Sequence, residues 1–262
     1  MPYFEYNDLN IYYEDEGKGR ALILLPGNTA SSAVHRRDIE YFSKKFRVIC
    51  PDYIGYGKSD RVRVLPSDFW WVNAVMVIEL LKHLKEERYL LVGTSGGGVI
   101  GLNIAIQEPD RVLGIVVDSF AGEILDMDEI HHIVMSRKTK TKEQCTFWCY
   151  AHGEDWEKVV NQDSNMLIAA AELQKNLNKG RLSEVKSPVL FTASLGDELI
   201  PSVEEKITSM VTKIPNWKIV LYSSGNHPLI WSRTAEFREE VEEFIKGLDN
   251  KGSILEDLSS ML

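Results

Sequence analysis

The stretch that decides the fold lies at residues 89–105 and reads YLLVGTSGGGVIGLNIA. Its first four residues are continuously apolar, as in a strand that is buried on both faces. A Gly-x-Ser-x-Gly pattern follows at residues 93–97, and a helix-like apolar pattern begins directly after it. Glycine flanks the serine on both sides because so tight a turn leaves no space for neighbouring Cβ atoms. The pattern therefore predicts a strand–turn–helix unit that lifts the Ser95 hydroxyl clear of the sheet edge.

Similar apolar runs recur along the chain and alternate with helix-like patterns. The predicted strands are residues 21–25, 47–50, 89–92, 112–117, 189–192 and 218–222. The predicted helices are residues 34–44 and 68–85, the segment after Ser95, and residues 203–211 and 234–245. Two alternating segments, 4–6 and 9–13, predict an antiparallel hairpin at one sheet edge. Strands that alternate with helices imply right-handed crossovers, so we expect an α/β fold with a mostly parallel, doubly wound sheet.

The interval between Ser119 and Lys186 breaks this alternation, because it contains no convincing strand. Helix-like patterns occur there instead, at residues 126–136, 141–151 and 155–177. We interpret residues 122–182 as a helical cap that is inserted into a core formed by residues 1–121 and 183–250. Residues 251–262 form a C-terminal tail with the pattern of a short amphipathic helix.

Composition narrows the class of protein. The 262 residues carry a net charge of −9, which argues against a nucleic-acid partner, since phosphates require a basic face. No apolar run is long enough to span a bilayer, and the first residues lack the pattern of a signal peptide. The three cysteines, an odd number, favour a reducing compartment. We therefore expect a cytoplasmic protein, monomeric or homodimeric, that binds a small molecule and has no membrane partner.

Two polar residues follow later strands at the edge of the sheet where Ser95 is expected. A serine hydroxyl needs a base to remove its proton, and the base needs a third group to fix its tautomer. Asp197 follows the strand at 189–192, and His227 follows the strand at 218–222. Because ligands bind at the carboxyl ends of parallel strands, these residues are the candidate catalytic acid and base. Asp118 also ends a strand at this edge and stays the alternative acid.

Acyl transfer also requires hydrogen-bond donors for the oxyanion that forms when the serine attacks. The N–H of Gly96, directly after Ser95, is one candidate donor. The second should come from the loop after the strand at 21–25, where Asn28 follows Pro26 and Gly27. Gly96 and Asn28 are therefore the predicted oxyanion hole.

Taken together, these motifs resemble the α/β-hydrolase superfamily from end to end. The matching segments are LPGN at residues 25–28, PDYIGYGKSD at 51–60, GTSGG at 93–97, SPVL at 187–190 leading to GD at 196–197, and GNH at 225–227. The chain departs from the family pattern where Pro26 stands in place of the usual histidine, and where Thr94 and Gly96 flank the serine. Within the superfamily it is similar to small esterases and to iminopeptidase-like or valacyclovir-hydrolase-like enzymes.

The resemblance implies a serine hydrolase that cleaves a small ester or related acyl compound and requires no metal or organic cofactor. Ser95 would be the nucleophile at the family's nucleophile elbow. Dehalogenase chemistry is disfavoured because that reaction uses a carboxylate where this chain has Ser95. Two alternatives remain open: hydrolysis of a C–C bond or perhydrolysis by the same residues, and a ligand-binding receptor on a hydrolase fold.

The predicted cap is rich in large aromatic side chains, which cannot all be needed for helix packing. We expect at least one or two of them to line a pocket above Ser95 and to select compact substrates. The candidates for substrate binding are Phe147, Trp148, Tyr150 and Trp156. Acidic residues of the cap either hold a substrate amine or form an ordinary solvated face, and the second alternative is favoured. These residues are Glu123, Asp126 and Asp128.

Overall fold

A computed structural model describes residues 2–120 and 122–260, with side chains described as far as residue 250. The described residues form one eight-stranded sheet with the strand order β1-β2-β4-β3-β5-β6-β7-β8. The strands are β1 (Tyr3–Tyr6), β2 (Leu9–Gly17), β3 (Ala21–Leu25), β4 (Arg47–Pro51), β5 (Tyr89–Thr94), β6 (Val112–Asp118), β7 (Val189–Ser194) and β8 (Trp217–Tyr222). Pairing is antiparallel for β1 with β2 and for β2 with β4, and parallel from β4 to β8. The predicted sheet and its N-terminal antiparallel hairpin are confirmed.

Helices connect the strands as the periodicity predicts. They are α1 (Arg36–Phe42), α2 (Phe69–His83), α3 (Gly96–Gln107), α4 (Met127–Thr139), α5 (Lys142–His152), α6 (Trp156–Glu172), α7 (Val203–Val211), α8 (Leu229–Ser232) and α9 (Thr234–Ser260). The predicted helix at 34–44 begins as a 3-10 turn, and the short α8 is not predicted by the pattern. Helix α9 continues into the predicted tail, whose side chains from residue 251 onward lie outside the described residues.

The sheet is buried on both faces, which explains its continuous apolar strands. In β3, Ala21, Ile23 and Leu25 pack into the larger core with α2 and α3. Leu22 and Leu24 point to the opposite face and pack with residues of α1 and α9. Alternation along one strand thus supplies two hydrophobic layers, as a doubly wound sheet requires.

Helices α4, α5 and α6 occupy the interval between β6 and β7, and the described residues of that interval contain no strand. The cap boundaries at residues 122 and 182 stay a prediction. Among the described residues, no helix combines the length and apolar character needed to cross a membrane.

Candidate active site

Ser95 occupies the turn between β5 and α3 in a strained backbone conformation. Its φ of 50° and ψ of −123° lie outside the regions that residues with a side chain usually adopt, at a cost of about 1–3 kcal/mol. A Cβ atom on Gly97 would lie 2.5 Å from the carbonyl oxygen of Pro26, and one on Gly93 would lie 2.6 Å from the nitrogen of Gly98. Glycine is therefore required on both sides of the serine.

The loop after β3 approaches Ser95 closely because β3 and β5 are neighbours at the point where the strand order reverses. A Cβ atom on Gly27 would lie 3.3 Å from the Cβ atom of Ser95. A Cβ atom on Gly96 would collide with the side-chain oxygen of Asn28 and lie 2.8 Å from Nε1 of Trp70. Asn28 accepts a hydrogen bond of 3.1 Å from that Trp70 nitrogen, so its side chain is fixed directly above Gly96.

His227 and Asp197 come together from the loops after β8 and β7. Nδ1 of His227 lies 2.9 Å from Oδ2 of Asp197, whose side chain is fully buried. The other oxygen, Oδ1, accepts hydrogen bonds from the backbone N–H groups of Leu199 (2.9 Å) and Ile200 (3.0 Å). Because both oxygens have donors, the carboxylate is held in one orientation with Oδ2 toward the imidazole. Glu198 joins this loop to the loop after β8, since its Oε2 accepts a hydrogen bond of 3.0 Å from the backbone N–H of His227.

Asp118, the alternative acid, is directed elsewhere. It is the last residue of β6 and is completely buried. Its carboxylate accepts hydrogen bonds from Oγ1 of Thr192 on β7 (2.8 Å) and from the backbone N–H of Ile230 in α8 (3.0 Å). Burial raises the pKa of the Asp118 carboxyl to about 7. Asp118 therefore links β6 to the segment that follows His227, whereas the His227 imidazole is hydrogen-bonded to Asp197.

A cavity of about 250 Å³ lies above the carboxyl ends of the strands. Ser95, Gly96, Asn28 and His227 line it together, so the structure brings these predicted site residues to one space. Most of the remaining wall is apolar, and it includes Trp70, Val99, Phe120, Leu125, Ile130, Ile133, Leu167, Leu177, Leu199, Ile200 and Trp231. An apolar cavity with a few convergent polar groups has the character of a small-molecule site.

The four predicted cap aromatics divide into two groups. Phe147 and Trp148 line the cavity. Trp156 stacks on Trp148 with ring centroids 5.6 Å apart, and is not among the cavity-lining residues. Tyr150 is 64% exposed on the outer face of α5. Tyr150 and Trp156 therefore do not line the cavity, and substrate contact by the four aromatic residues stays a prediction.

The three acidic cap residues form an ion pair, cap a helix or are exposed. Glu123 forms an ion pair with Lys213. Asp126 caps the N-terminus of α4 by accepting from the backbone N–H groups of Asp128 and Glu129, and it also borders the cavity. Asp128 is exposed.

The loop that carries Asn28 is attached to the cap by several hydrogen bonds. Nε2 of His152 lies 3.0 Å from the carbonyl oxygen of Thr29, and Nδ1 of His152 accepts from the backbone N–H of Gly57 at 2.9 Å. Burial lowers the pKa of His152 to about 4, which keeps the ring neutral as this pair of contacts requires. Oγ of Ser31 donates to the carbonyl oxygen of Ala151 at 2.7 Å. Helix α5 and the loop after β3 therefore form one connected unit.

Sequence reasoning missed two charged residues at this site, Asp163 on α6 and Arg137 on α4. The Asp163 side chain is fully buried, and both its oxygens lie 3.0 Å from Nδ2 of Asn28. Nη1 of Arg137 lies 3.5 Å from Oδ1 of Asp163. The sequence does contain an indication that Asp163 is buried, because Asp163 falls on the apolar face of α6 together with Val159, Met166 and Ala170.

Comparison with known proteins gives the family. Residues 20–216 match the family model described as alpha/beta hydrolase fold. The chain therefore belongs to the α/β-hydrolase family.

Among its relatives, a 2-hydroxy-6-oxo-6-phenylhexa-2,4-dienoate hydrolase of Comamonas testosteroni is 26% identical over 92% of both chains. The human (Homo sapiens) serine hydrolase BPHL is 24% identical over 92% of this chain and 84% of the relative. Haloalkane dehalogenase 2 of Mycobacterium tuberculosis is 36% identical, but the match covers 44% of this chain and 40% of that relative's length.

Solved structures with the same fold include an esterase from Exiguobacterium antarcticum, with a TM-score of 0.74 and 20% identity over 93% of this chain and 98% of that one. An enol-lactonase from Burkholderia xenovorans has a TM-score of 0.75 and 18% identity over 94% of this chain and 100% of that one. At these identities the likeness establishes the fold alone.

Proposed function

We propose that the chain is a serine hydrolase in which Ser95 is the nucleophile, His227 the general base and Asp197 the acid that orients the base. The observation that carries the proposal is the hydrogen bond of 2.9 Å between Nδ1 of His227 and Oδ2 of Asp197, beside a cavity that also contains Ser95. A carboxylate at Nδ1 keeps a proton on that nitrogen and leaves Nε2 free to accept the serine proton.

The reaction proceeds through an acyl-enzyme. Nε2 of His227 takes the proton from Oγ of Ser95 as Oγ attacks the substrate carbonyl carbon, and the carbonyl oxygen becomes an oxyanion. The backbone N–H groups of Gly96 and Asn28 donate to that oxyanion. His227 then gives its proton to the leaving group as the bond to the carbonyl carbon breaks. A water molecule repeats the sequence, with His227 as base, and releases the acid and free Ser95.

The proposed substrates are small esters or related acyl compounds. Phe147 and Trp148 line the cavity from the cap, and most of the remaining lining residues are apolar. Dehalogenation is not proposed, although one relative is a haloalkane dehalogenase, because that chemistry needs a carboxylate at the position of Ser95. Cytoplasmic location, a monomeric or homodimeric state and the absence of nucleic-acid and membrane partners stay part of the proposal.

Hydrolysis of a C–C bond is the second candidate function. It is favoured by the Comamonas testosteroni relative, which covers 92% of the chain and whose name describes a dienoate hydrolase. The same nucleophile and base serve both reactions, so only the substrate separates them.

The test is a panel of short 4-nitrophenyl esters and vinylogous 1,5-diketones, assayed with wild type and Ser95→Ala. We expect ester turnover in wild type and its loss in Ser95→Ala. Ser136→Ala is the matched control, because Ser136 lines the same cavity while its Oγ only donates to the carbonyl oxygen of Ile133. Turnover of diketones with no ester cleavage would favour the C–C hydrolase. Full activity in Ser95→Ala would refute both.

A further inference from the structure

The wall of the cavity includes a guanidinium that ester hydrolysis does not require. Arg137 on α4 is the one lysine or arginine among the described residues that line the cavity. Its side chain is only 10% exposed. It lies on the same face of α4 as Ile130 and Val134, which are buried. A guanidinium is costly to bury, so its position calls for partners on every side.

Among the described residues, the partners of the guanidinium all contact Nη1. Nη1 donates to Oγ of Ser164 at 3.1 Å and lies 3.5 Å from Oδ1 of Asp163. Within the described part of the chain, Nε and Nη2 of Arg137 have no hydrogen-bond partner. These two nitrogens form the side-on edge of the guanidinium. There, two parallel N–H groups match the two oxygens of a carboxylate.

Asp163 holds this edge in a fixed place relative to the nucleophile. It contacts Arg137 on one side, and Nδ2 of Asn28 donates to it at 3.0 Å on the other. The oxygen of the same Asn28 amide lies directly above Gly96, next to Ser95. The free edge of Arg137 is thus linked to the oxyanion loop by two side-chain contacts, and no further ordering is needed before a ligand binds.

We propose that Arg137 binds a carboxylate carried by the substrate, away from the bond that Ser95 attacks. This inference rests on the proposed function and names its substrate class: acyl compounds with an acidic group separated from the scissile bond by an apolar segment. The apolar segment would lie against cavity residues such as Leu125, Ile130 and Ile133.

A singly charged carboxylate fits better than a phosphate. Asp163 already offsets the charge of Arg137. Two further acidic residues, Asp126 and Glu129, line the same cavity, and Glu129 alone has a lysine partner, Lys206 at 2.5 Å. A doubly charged ligand would meet this negative charge with no additional cation to balance it.

The kinetic test compares matched substrates. Mono-4-nitrophenyl esters of glutarate, adipate and pimelate are each assayed beside the corresponding methyl 4-nitrophenyl diester, which differs only in lacking the negative charge. Wild type should prefer at least one acid over its methyl ester by about tenfold to hundredfold in kcat/KM, mainly through KM, as expected for a hydrogen bond to a charged group. Equal values for all three pairs would overturn the inference.

Variants assign the preference to Arg137. Arg137→Lys keeps the charge and loses the two-pronged edge, so the preference should fall several-fold. The double variant Arg137→Met/Asp163→Asn removes both members of the buried pair, which avoids leaving one charge unpaired, and the preference should fall to about one. Lys138→Met is the matched control, because it removes a positive charge from the same helix at an exposed position. A preference that survives the double variant, or is lost in Lys138→Met, would contradict the proposal.

Calorimetry with Ser95→Ala separates this inference from the proposed function. Monomethyl adipate should bind this variant at least about tenfold more tightly than dimethyl adipate, and introducing Arg137→Lys should reduce the difference several-fold. Stronger binding of inorganic phosphate than of monomethyl adipate would overturn the carboxylate assignment. Arg137-dependent binding of the acid, together with a wild type that cleaves neither esters nor diketones, would refute the proposed function alone.

Discussion

Asp197→Asn is the substitution whose effect the geometry defines best. Oδ1 of Asp197 accepts two backbone hydrogen bonds, from Leu199 and Ile200, so the asparagine oxygen must occupy that position. The amide NH2 then faces His227 in place of Oδ2 and donates to Nδ1. The imidazole proton moves to Nε2, which can no longer accept the proton of Ser95. We expect kcat to fall by about 10⁴-fold, equivalent to about 5.5 kcal/mol in the activation barrier, with little change in fold.

The assay is steady-state hydrolysis of a short 4-nitrophenyl ester, with circular dichroism to verify folding. Asp118→Asn is the control, because its carboxylate bonds to Thr192 and Ile230 and not to the imidazole. It should cost far less activity than Asp197→Asn. An Asp197→Asn enzyme within tenfold of wild type, or a larger loss in Asp118→Asn, would refute the assignment of the acid.

Three further outcomes follow from the same geometry. Gly96→Ala should lower kcat by about 10²–10³-fold, measured on the same ester, because the added Cβ collides with the Asn28 side chain and displaces an oxyanion donor. Phe147→Ala should raise KM for short esters, whereas Tyr150→Ala, on the exposed face of the same helix, should leave KM unchanged. The pKa of His152 is lowered to about 4 by burial, so the unfolded chain binds the extra proton and the contribution of His152 to stability is lost as pH drops from 6.5 to 4. The buried Asp118, whose pKa is raised to about 7, acts in the opposite direction over this range, so the measurement is the difference in urea unfolding between wild type and His152→Gln. That difference should change by about 3 kcal/mol between pH 6.5 and 4, and a constant difference would contradict the prediction.

The sheet could be predicted from the sequence because its strands are buried on both faces. Continuous apolar runs such as residues 21–25 admit few other structures, and the predicted and observed bounds of that strand agree. The helix period of α5 also separates its inward-facing residues from its exposed residues. Phe147, Trp148 and Ala151 lie on one stripe of α5 and face inward or line the cavity, whereas Tyr150 falls off that stripe and is exposed.

The sequence favours Asp197 over Asp118 but does not exclude Asp118, because both residues come at the carboxyl ends of neighbouring parallel strands. What separates the two residues is the pairing of β6 with β7. Asp118 lies inside the sheet, opposite Thr192 of β7, whereas Asp197 lies in the loop after the end of β7. The positions of Arg137 and Asp163 could not be predicted for a similar reason. Charged residues are expected at the surface, and the burial of these two depends on partners that are distant in sequence, such as Asn28.

The most direct test of the central claim is to locate the covalent adduct of a fluorophosphonate probe by peptide mass spectrometry. The probe reacts with a serine only when a neighbouring base activates it. We predict one adduct per chain, on Ser95, and its loss in both Ser95→Ala and His227→Ala. An adduct on another serine, unchanged labelling in His227→Ala, or no adduct on the folded wild-type protein would contradict the account.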